Sequence, residues 1–413
     1  MTETAVQTAA KTIPLRTRLA IYGSGLFADG ATNVVIPLWV LYLDPSPFAF
    51  GIVIGARSFL PFLLSIHGGV LMDRLGARQV MLFFAAIGLM VPILFPLLPW
   101  VWVAGLLNLI IGLSSTMNWV GAQTMVGQVI RGDPALTWRV SFCNRLGHFI
   151  CPVLAGIMWD LFGPWGGFGV TFTWAVLFMA TALMLPRHKD SAQESTKTAG
   201  DVPAPAFRVR SVLPRFEDYT RAFKLLGIPL VSVVAAASVL NISVGAIQTS
   251  FFIAHMQEIG LTGTLIGLIF AGLNFSGLMG TATVTPMARR VGDIRLMNIT
   301  VVVALAAIII TPLLAAFLPL LIVSILRGFA QGAGQPLMIM IPSKAVPAGS
   351  QGAAVGLRIS LNRFVQTVLP PIMGGVVGWV GLANSFYWIA GILLILTCGL
   401  WAFFRPPSST GSA

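Results

Sequence analysis

Apolar residues along this chain come in long unbroken runs. They do not show the alternation of a half-buried strand or the narrow stripe of a surface helix. Twelve such runs cover roughly 19–43, 48–72, 79–98, 101–130, 138–162, 166–186, 227–255, 262–287, 295–316, 318–342, 352–379 and 383–404. Each approaches or exceeds the ~20 residues that a helix needs to cross a bilayer. Backbone groups cannot go unpaired in hydrocarbon, so runs of this length predict helices. A membrane barrel would instead show alternating segments of about 10 residues, and none is visible.

The polar breaks between runs carry a second signal. One set of loops holds Arg74 and Arg78, then Arg131 and Arg139, then a long basic segment, then Arg289, Arg290 and Arg295, then Lys344, with Arg405 after the last run. The alternate loops, near residues 44, 99, 164, 259, 317 and 381, contain no Lys or Arg. The positive-inside rule then predicts both termini in the cytoplasm of a bacterial inner (plasma) membrane. The segment 1–18 reads as a cytoplasmic arm. Its Lys11, Arg16 and Arg18 resemble the start of a signal peptide, but the run that follows is too long, holds Asp29 and lacks a small-residue cleavage site. The longest polar stretch, 187–226, is rich in Ser, Thr, Pro and mixed charge and reads as a cytoplasmic linker. It divides the chain into 19–186 and 227–404, with 405–413 as a tail.

Composition narrows the class further. Of 413 residues, 56% are hydrophobic and only 9% charged. A soluble domain carries about a quarter charged residues, so a soluble enzyme is excluded. The net charge of +12 does not indicate nucleic acid, because the basic residues are scattered over the loops of one side. Cys143, Cys151 and Cys398 all lie within apolar runs, with neither disulfide nor metal-ligand spacing. No G-x-x-x-x-G-K-[ST] loop is present, so nucleotide hydrolysis is not expected. No cofactor or metal is expected, and the chain is not expected to be an enzyme.

The chain also repeats itself. A shift of 218 residues places Asn144-Arg145 on Asn362-Arg363, Pro152 on Pro370, Gly156 on Gly374, Gly163 on Gly381 and Phe168 on Phe386. A second echo sets Asp73-Arg-Leu-Gly76-Ala-Arg78 against Arg289-Arg-Val-Gly292-Asp-Ile-Arg295. The predicted fold is therefore all-α: twelve transmembrane helices in two pseudo-symmetric six-helix bundles. Parallel repeats of this kind belong to transporters that bind substrate between the halves near the bilayer midplane.

These residues resemble the major facilitator superfamily. Gly69-Val-Leu-Met-Asp73-Arg74-Leu-Gly76-Ala-Arg78 is similar to the family signature G-x-x-x-D-[RK]-x-G-x-[RK], in the expected loop between the second and third spans. The resemblance implies a conformational latch at Gly69, Asp73, Arg74, Gly76 and Arg78. Gly147-His-Phe-Ile-Cys151-Pro152-Val-Leu-Ala155-Gly156 resembles the fifth-span antiporter signature G-x-x-x-G-P-x-x-G-G, with Cys151 and Ala155 replacing two glycines. It marks Gly147, Pro152 and Gly156 as an antiporter-like helix motif. Proton-coupled exporters of the family often carry a fourth-span arginine shortly before a glycine. Here Asn108 stands in that place before Gly112, while Arg327 precedes Gln331-Gly332 in the tenth span.

Ionisable residues inside spans are costly, so each is a site candidate. The candidates singled out are Asp29, Arg57, Arg145, Arg327 and Arg363, with His67 and His148. One acid against four arginines leaves a positive surplus, and the guanidinium fork suits carboxylate or phosphate. Arg145, His148 and Pro152 share one helix face; Arg363, Gln366 and Pro370 repeat it. The matched arginines could clamp one anion, or each could serve its own helix end. Asp29 and Asn33 share a face of the first span. Asp29 is the candidate proton carrier, with permanent pairing to Arg57 as the alternative. Gln248 and Asn274, with Asn118, Trp119 and Gln123, complete the candidate pathway; each could equally join helices.

The expected function is secondary active transport by alternating access, with proton-coupled export of a small or amphipathic organic anion. Proton-symport uptake of an organic acid, antiport of drugs or neutral amphiphiles, and a non-transporting receptor on the same scaffold stand as alternatives. The expected partners are a small-molecule substrate, protons and the lipid bilayer, for a monomer that binds no nucleic acid.

Overall fold

The computed structural model describes residues 14–27, 32–130, 134–185, 225–345 and 351–403. Among them the regular elements are helical, without strands. In chain order the α-helices are α1 Leu15–Phe27, α2 Thr32–Tyr42, α3 Pro47–Leu75, α4 Ala77–Leu97, α5 Val101–Ile130, α6 Pro134–Met184, α7 Pro229–Gln248, α8 Phe251–Glu258, α9 Gly263–Val291, α10 Asp293–Ile310, α11 Phe317–Ala345, α12 Gln351–Val380 and α13 Leu382–Phe403. Ten segments of the described residues are long and apolar enough to cross a membrane.

Three places along the expected runs stand out. The fifth and sixth runs are two helices that join at a kink without an intervening loop, and they are numbered together as α6. The kink is at Gly163, where φ is 61° and ψ −148°, a backbone shape that glycine adopts without steric cost. Its repeat mate Gly381 turns the chain between α12 and α13 at φ 84°. In the first run α1 and α2 are described on either side of residues 28–31, which lie outside the described set, Asp29 included. The seventh run is divided at Thr249 and Ser250 into α7 and α8. There the hydroxyls of Thr249 and Ser250 donate to the carbonyls of Gly245 and Ala246 at 3.1 and 2.6 Å. The Ser250 hydroxyl thus satisfies the Ala246 carbonyl, whose amide partner the break diverts to Ile247, while the Gly245 carbonyl keeps the Thr249 amide as well. The expected linker, apart from its last two residues, and the terminal tail also fall outside the described residues.

Within the first half, α3 packs on α5, α5 on α4, and α1 on α6. In the second half, α11 packs on both α9 and α10, and α7 on α12. The halves meet along two seams, α3 against α12 and α6 against α9. Glycines set both. A Cβ on Gly51 or Gly55 would collide with the carbonyls of Pro370 or Thr367, and one on Gly374 with that of Pro47. In the other seam, Gly267 meets the Pro152 carbonyl and Gly156 meets that of Gly263. Because Pro152 and Gly156 map onto Pro370 and Gly374, the two seams are copies of one contact. Backbone lies on backbone in both, as small residues permit between membrane helices.

Candidate functional site

The α6–α9 seam ends in a cross-half cap. Asp160 accepts hydrogen bonds from the Gly263 and Thr264 amides, both at 2.7 Å, and from the Thr264 hydroxyl at 2.6 Å. A carboxylate on the first amides of α9 satisfies donors that have no intrahelical partner and complements the helix dipole. The seams therefore close the end of the molecule that carries the loops near 44, 162, 260 and 381.

Beyond this closed end lies a cavity of about 490 Å³. Arg57 from α3, Arg145 and His148 from α6, and Arg363 and Gln366 from α12 all line it. So do Asn33 from α2, Gln248 from α7 and Asn274 from α9. Eight of the nine substrate-site candidates thus come together, drawn from both halves. No acidic residue lines the cavity among the described residues. A second hollow of about 190 Å³ shares Trp119, Asn144 and Arg145 with it and runs on to Gln123 and Ser141. It leads away from the closed end, toward the loop near residue 131.

Hydrogen bonds fix several of the lining groups. Asn144 Nδ2 donates to the Gly25 carbonyl at 3.0 Å and ties α6 to α1. Its repeat mate Asn362 accepts from the Ser238 hydroxyl at 3.0 Å and ties α12 to α7. In both halves, then, the asparagine anchors the helix and the next residue, an arginine, lines the cavity. His148 Nδ1 donates to the Asn144 carbonyl at 2.9 Å. Arg363 Nη1 donates to Gln366 Oε1 at 3.1 Å, and the Ser58 hydroxyl donates to the same oxygen at 3.2 Å. Asn274 Nδ2 donates to the His148 carbonyl at 3.1 Å and to the Phe270 carbonyl at 2.9 Å. Arg57 Nη2 makes a long contact of 3.5 Å to the Ser115 hydroxyl.

Arg327 is the exception among the candidates. It does not line the cavity, because α11 turns it into the second half, where it is fully buried with its guanidinium 4.3 Å above the Phe252 ring. None of its three guanidinium nitrogens has a hydrogen-bond partner among the described residues. Sequence position alone could not separate it from Arg363, since both sit mid-span. Asn108, in the place where the resemblance implied an arginine, donates to the Val53 carbonyl at 2.7 Å and lines the cavity without charge.

The loop motif is described in part. Gly76 takes φ 84° between α3 and α4, and Gly292 takes φ 91° at the matching corner between α9 and α10. Arg78 Nη2 donates to the Leu183 carbonyl at 3.0 Å, near the end of α6. Gly69, Asp73 and Arg74 lie on the α3 backbone, and their side chains, like that of His67, fall outside the described set. In the antiporter-like stretch, Gly147 packs on the Leu26 carbonyl of α1, while Cys151 and Ala155 are fully buried. Asn118 does not line the cavity but a smaller hollow behind α5. Two residues went unnoticed in the sequence, Ser58 and Asp160. A serine in a span is unremarkable, and an acid at a span end reads as solvated.

The family model described as Major Facilitator Superfamily matches residues 19–253 and 231–413. Among curated proteins, the enterobactin exporter EntS of Salmonella paratyphi A is 22% identical over 409 residues, covering 93% of this chain and 92% of that one. EntS of Citrobacter koseri is 22% identical over 400 residues, covering 92% and 90%. Among solved structures, the nucleoside transporter NupG superposes with a TM-score of 0.74 at 13% identity, over 96% of this chain and 100% of that one. A bacterial homologue of the lysosomal transporter Spinster, solved inward-facing and unoccupied, gives 0.67 at 11% identity, over 98% and 97%.

Proposed function

Since this chain belongs to the major facilitator superfamily, we propose that it exports a small or amphipathic organic anion in exchange for protons. The observation that carries the substrate class is the cavity itself. Arg57, Arg145 and Arg363 line it from three helices and both halves, with no described acid among the lining groups. Guanidinium groups grip carboxylate or phosphate in a forked geometry, and low local dielectric strengthens the grip. Trp119, Ile36 and Ile54 add an apolar wall that suits an amphipathic ligand.

In this reading the chain forms twelve spans in two bundles, 19–186 and 227–404, joined by the 187–226 linker, and works as a monomer. With both termini in the cytoplasm, the orientation that the basic loops support, the seams close the outer end and the cavity faces inward. Rocking of the halves would open the seams and expose the cavity outside. Gly69, Asp73, Arg74, Gly76 and Arg78 latch the inner end in that second state. Asp29, four residues before the cavity-lining Asn33 in the sequence, carries the exchanged proton. One charge crossing 100 mV corresponds to about 2.3 kcal/mol, so the membrane potential alone favours outward movement of an anion. Export is also the activity for which the EntS relatives are named.

The test is counterflow in proteoliposomes with labelled aromatic carboxylates, neutral amphiphiles and organic cations. Carboxylate exchange that falls at least about tenfold in Arg145→Gln and Arg363→Gln supports the proposal, because each loses a charge-assisted contact. Flux of cations alone, untouched by either substitution, would sink the anion reading. Saturable binding with no flux would point to a receptor.

A further inference from the structure

The two seams carry matching polar rungs that differ in one respect. On α6–α9, Asn274 crosses between the halves to the backbone carbonyl of His148. On α3–α12, Ser58 crosses to the side chain of Gln366. The positions correspond by the repeat, since 148 maps on 366 and the seam glycines pair 51 with 267. One rung therefore ends on a fixed carbonyl, and the other on a movable amide that itself holds a cavity arginine, Arg363. With Oε1 shared between Ser58 and Arg363, the Gln366 amide has only N–H donors left for whatever occupies the cavity.

We propose that Ser58 is a positioning residue that makes the anion grip depend on closure of the outer seam. While α3 and α12 touch, the Ser58 hydroxyl holds Gln366, and Gln366 holds the Arg363 guanidinium in place for a carboxylate or phosphate. When the seam opens, Ser58 leaves with α3. Gln366 loses one of its two fixed contacts, and Arg363 gains rotamer freedom that a bound anion must then remove. Affinity is high in the state closed at the outer end and lower in the other. A ligand can shift a two-state carrier only by such a difference. With the outer end closed the cavity loads from the cytoplasm, so the polarity of this rung fits loading inside and release outside. The proposal rests on the anion reading and deepens it with a direction.

Ser58→Ala, Ser58→Thr, Arg363→Gln and the double variant Ser58→Ala/Arg363→Gln are compared in detergent, with salicylate as the probe. Binding is read by thermal shift and by quenching of tryptophan fluorescence, to which Trp119 in the cavity wall contributes. Loss of one such hydrogen bond weakens salicylate binding about fivefold in Ser58→Ala. Ser58→Thr retains the wild-type affinity, because its hydroxyl can make the same bond. In the Arg363→Gln background, Ser58→Ala has no further effect, since it acts through that arginine. An equal loss with and without Arg363 would show a merely structural role and overturn the proposal. So would a wild-type affinity in Ser58→Ala. If neither salicylate nor any other anion of a carboxylate and phosphate panel binds the wild type, the anion reading itself falls, and this inference with it.

Discussion

Arginine in this molecule is put to two different physical uses. Arg57, Arg145 and Arg363 line a cavity that can hold water and solute, while Arg327 is buried against an aromatic ring. A cation–π contact offsets about 2 kcal/mol, and a buried charge costs several kcal/mol more than that. The second half, 227–404, holds only two acids, Glu258 and Asp293, and both lie at helix ends. Arg327→Met should therefore raise the stability of the folded protein by about 1–3 kcal/mol, read as a higher melting temperature, and leave anion affinity unchanged. A drop in stability would mean that the guanidinium is better solvated in place than its burial implies. The contrast was only half legible in the sequence. Counting charges in spans finds all four arginines, but facing depends on the angular position of α11, which a uniformly apolar helix does not encode. Asn144 and Asn362 show the reverse. Their repeat marked them as a pair, and the structure gives the reason: each ties its helix to the first helix of its own half.

The decisive elements are α3, α6, α9 and α12, because their glycines let the halves touch. Gly156→Val would drive a branched side chain into the Gly263 carbonyl, which no rotamer change avoids. The expected result is a folded protein biased away from the closed seam by about 1–3 kcal/mol, a shift of roughly five- to 150-fold in population. A cysteine placed at Ser115, in a background where Cys143, Cys151 and Cys398 are replaced by Ala, reports this. Its labelling by a membrane-impermeant maleimide from the outer side should rise accordingly. Asp160→Ala should act in the same direction, because it strips the first amides of α9 of their carboxylate cap, at a cost of about 1 kcal/mol. Unchanged labelling in both variants would mean that these contacts do not set the resting state. The corner glycines were foreseeable from the repeat, and Gly163 and Gly381 do share a positive φ. The broken seventh run was not, since Thr249 and Ser250 are ordinary residues in a helix until their hydroxyls are seen to donate to the carbonyls behind them.

At the scale of the whole molecule, each half is packed through its own helix pairs, and among the described residues the halves meet mainly at the two seams, with a smaller contact of α2 on α8, around the cavity between them. The linker 187–226 is read as a tether, so the halves expressed as separate chains, cut within it, should assemble in the membrane and restore measurable counterflow. Failure of the cut pair to transport, with both pieces present and folded, would assign the linker a role beyond tethering. The seams have a further consequence, electrical rather than mechanical. Protons move along files of water, and a contact made of backbone against backbone leaves no width for such a file. The closed end is thus an insulator about one turn of helix at a time, at Gly51, Gly55 and Gly374 on one side and at Gly156 and Gly267 on the other. A carrier that works against an ion gradient must not short-circuit that gradient while it waits for cargo. In the proton-exchange reading proposed above, these five glycines are what would keep the idle transporter from becoming a leak.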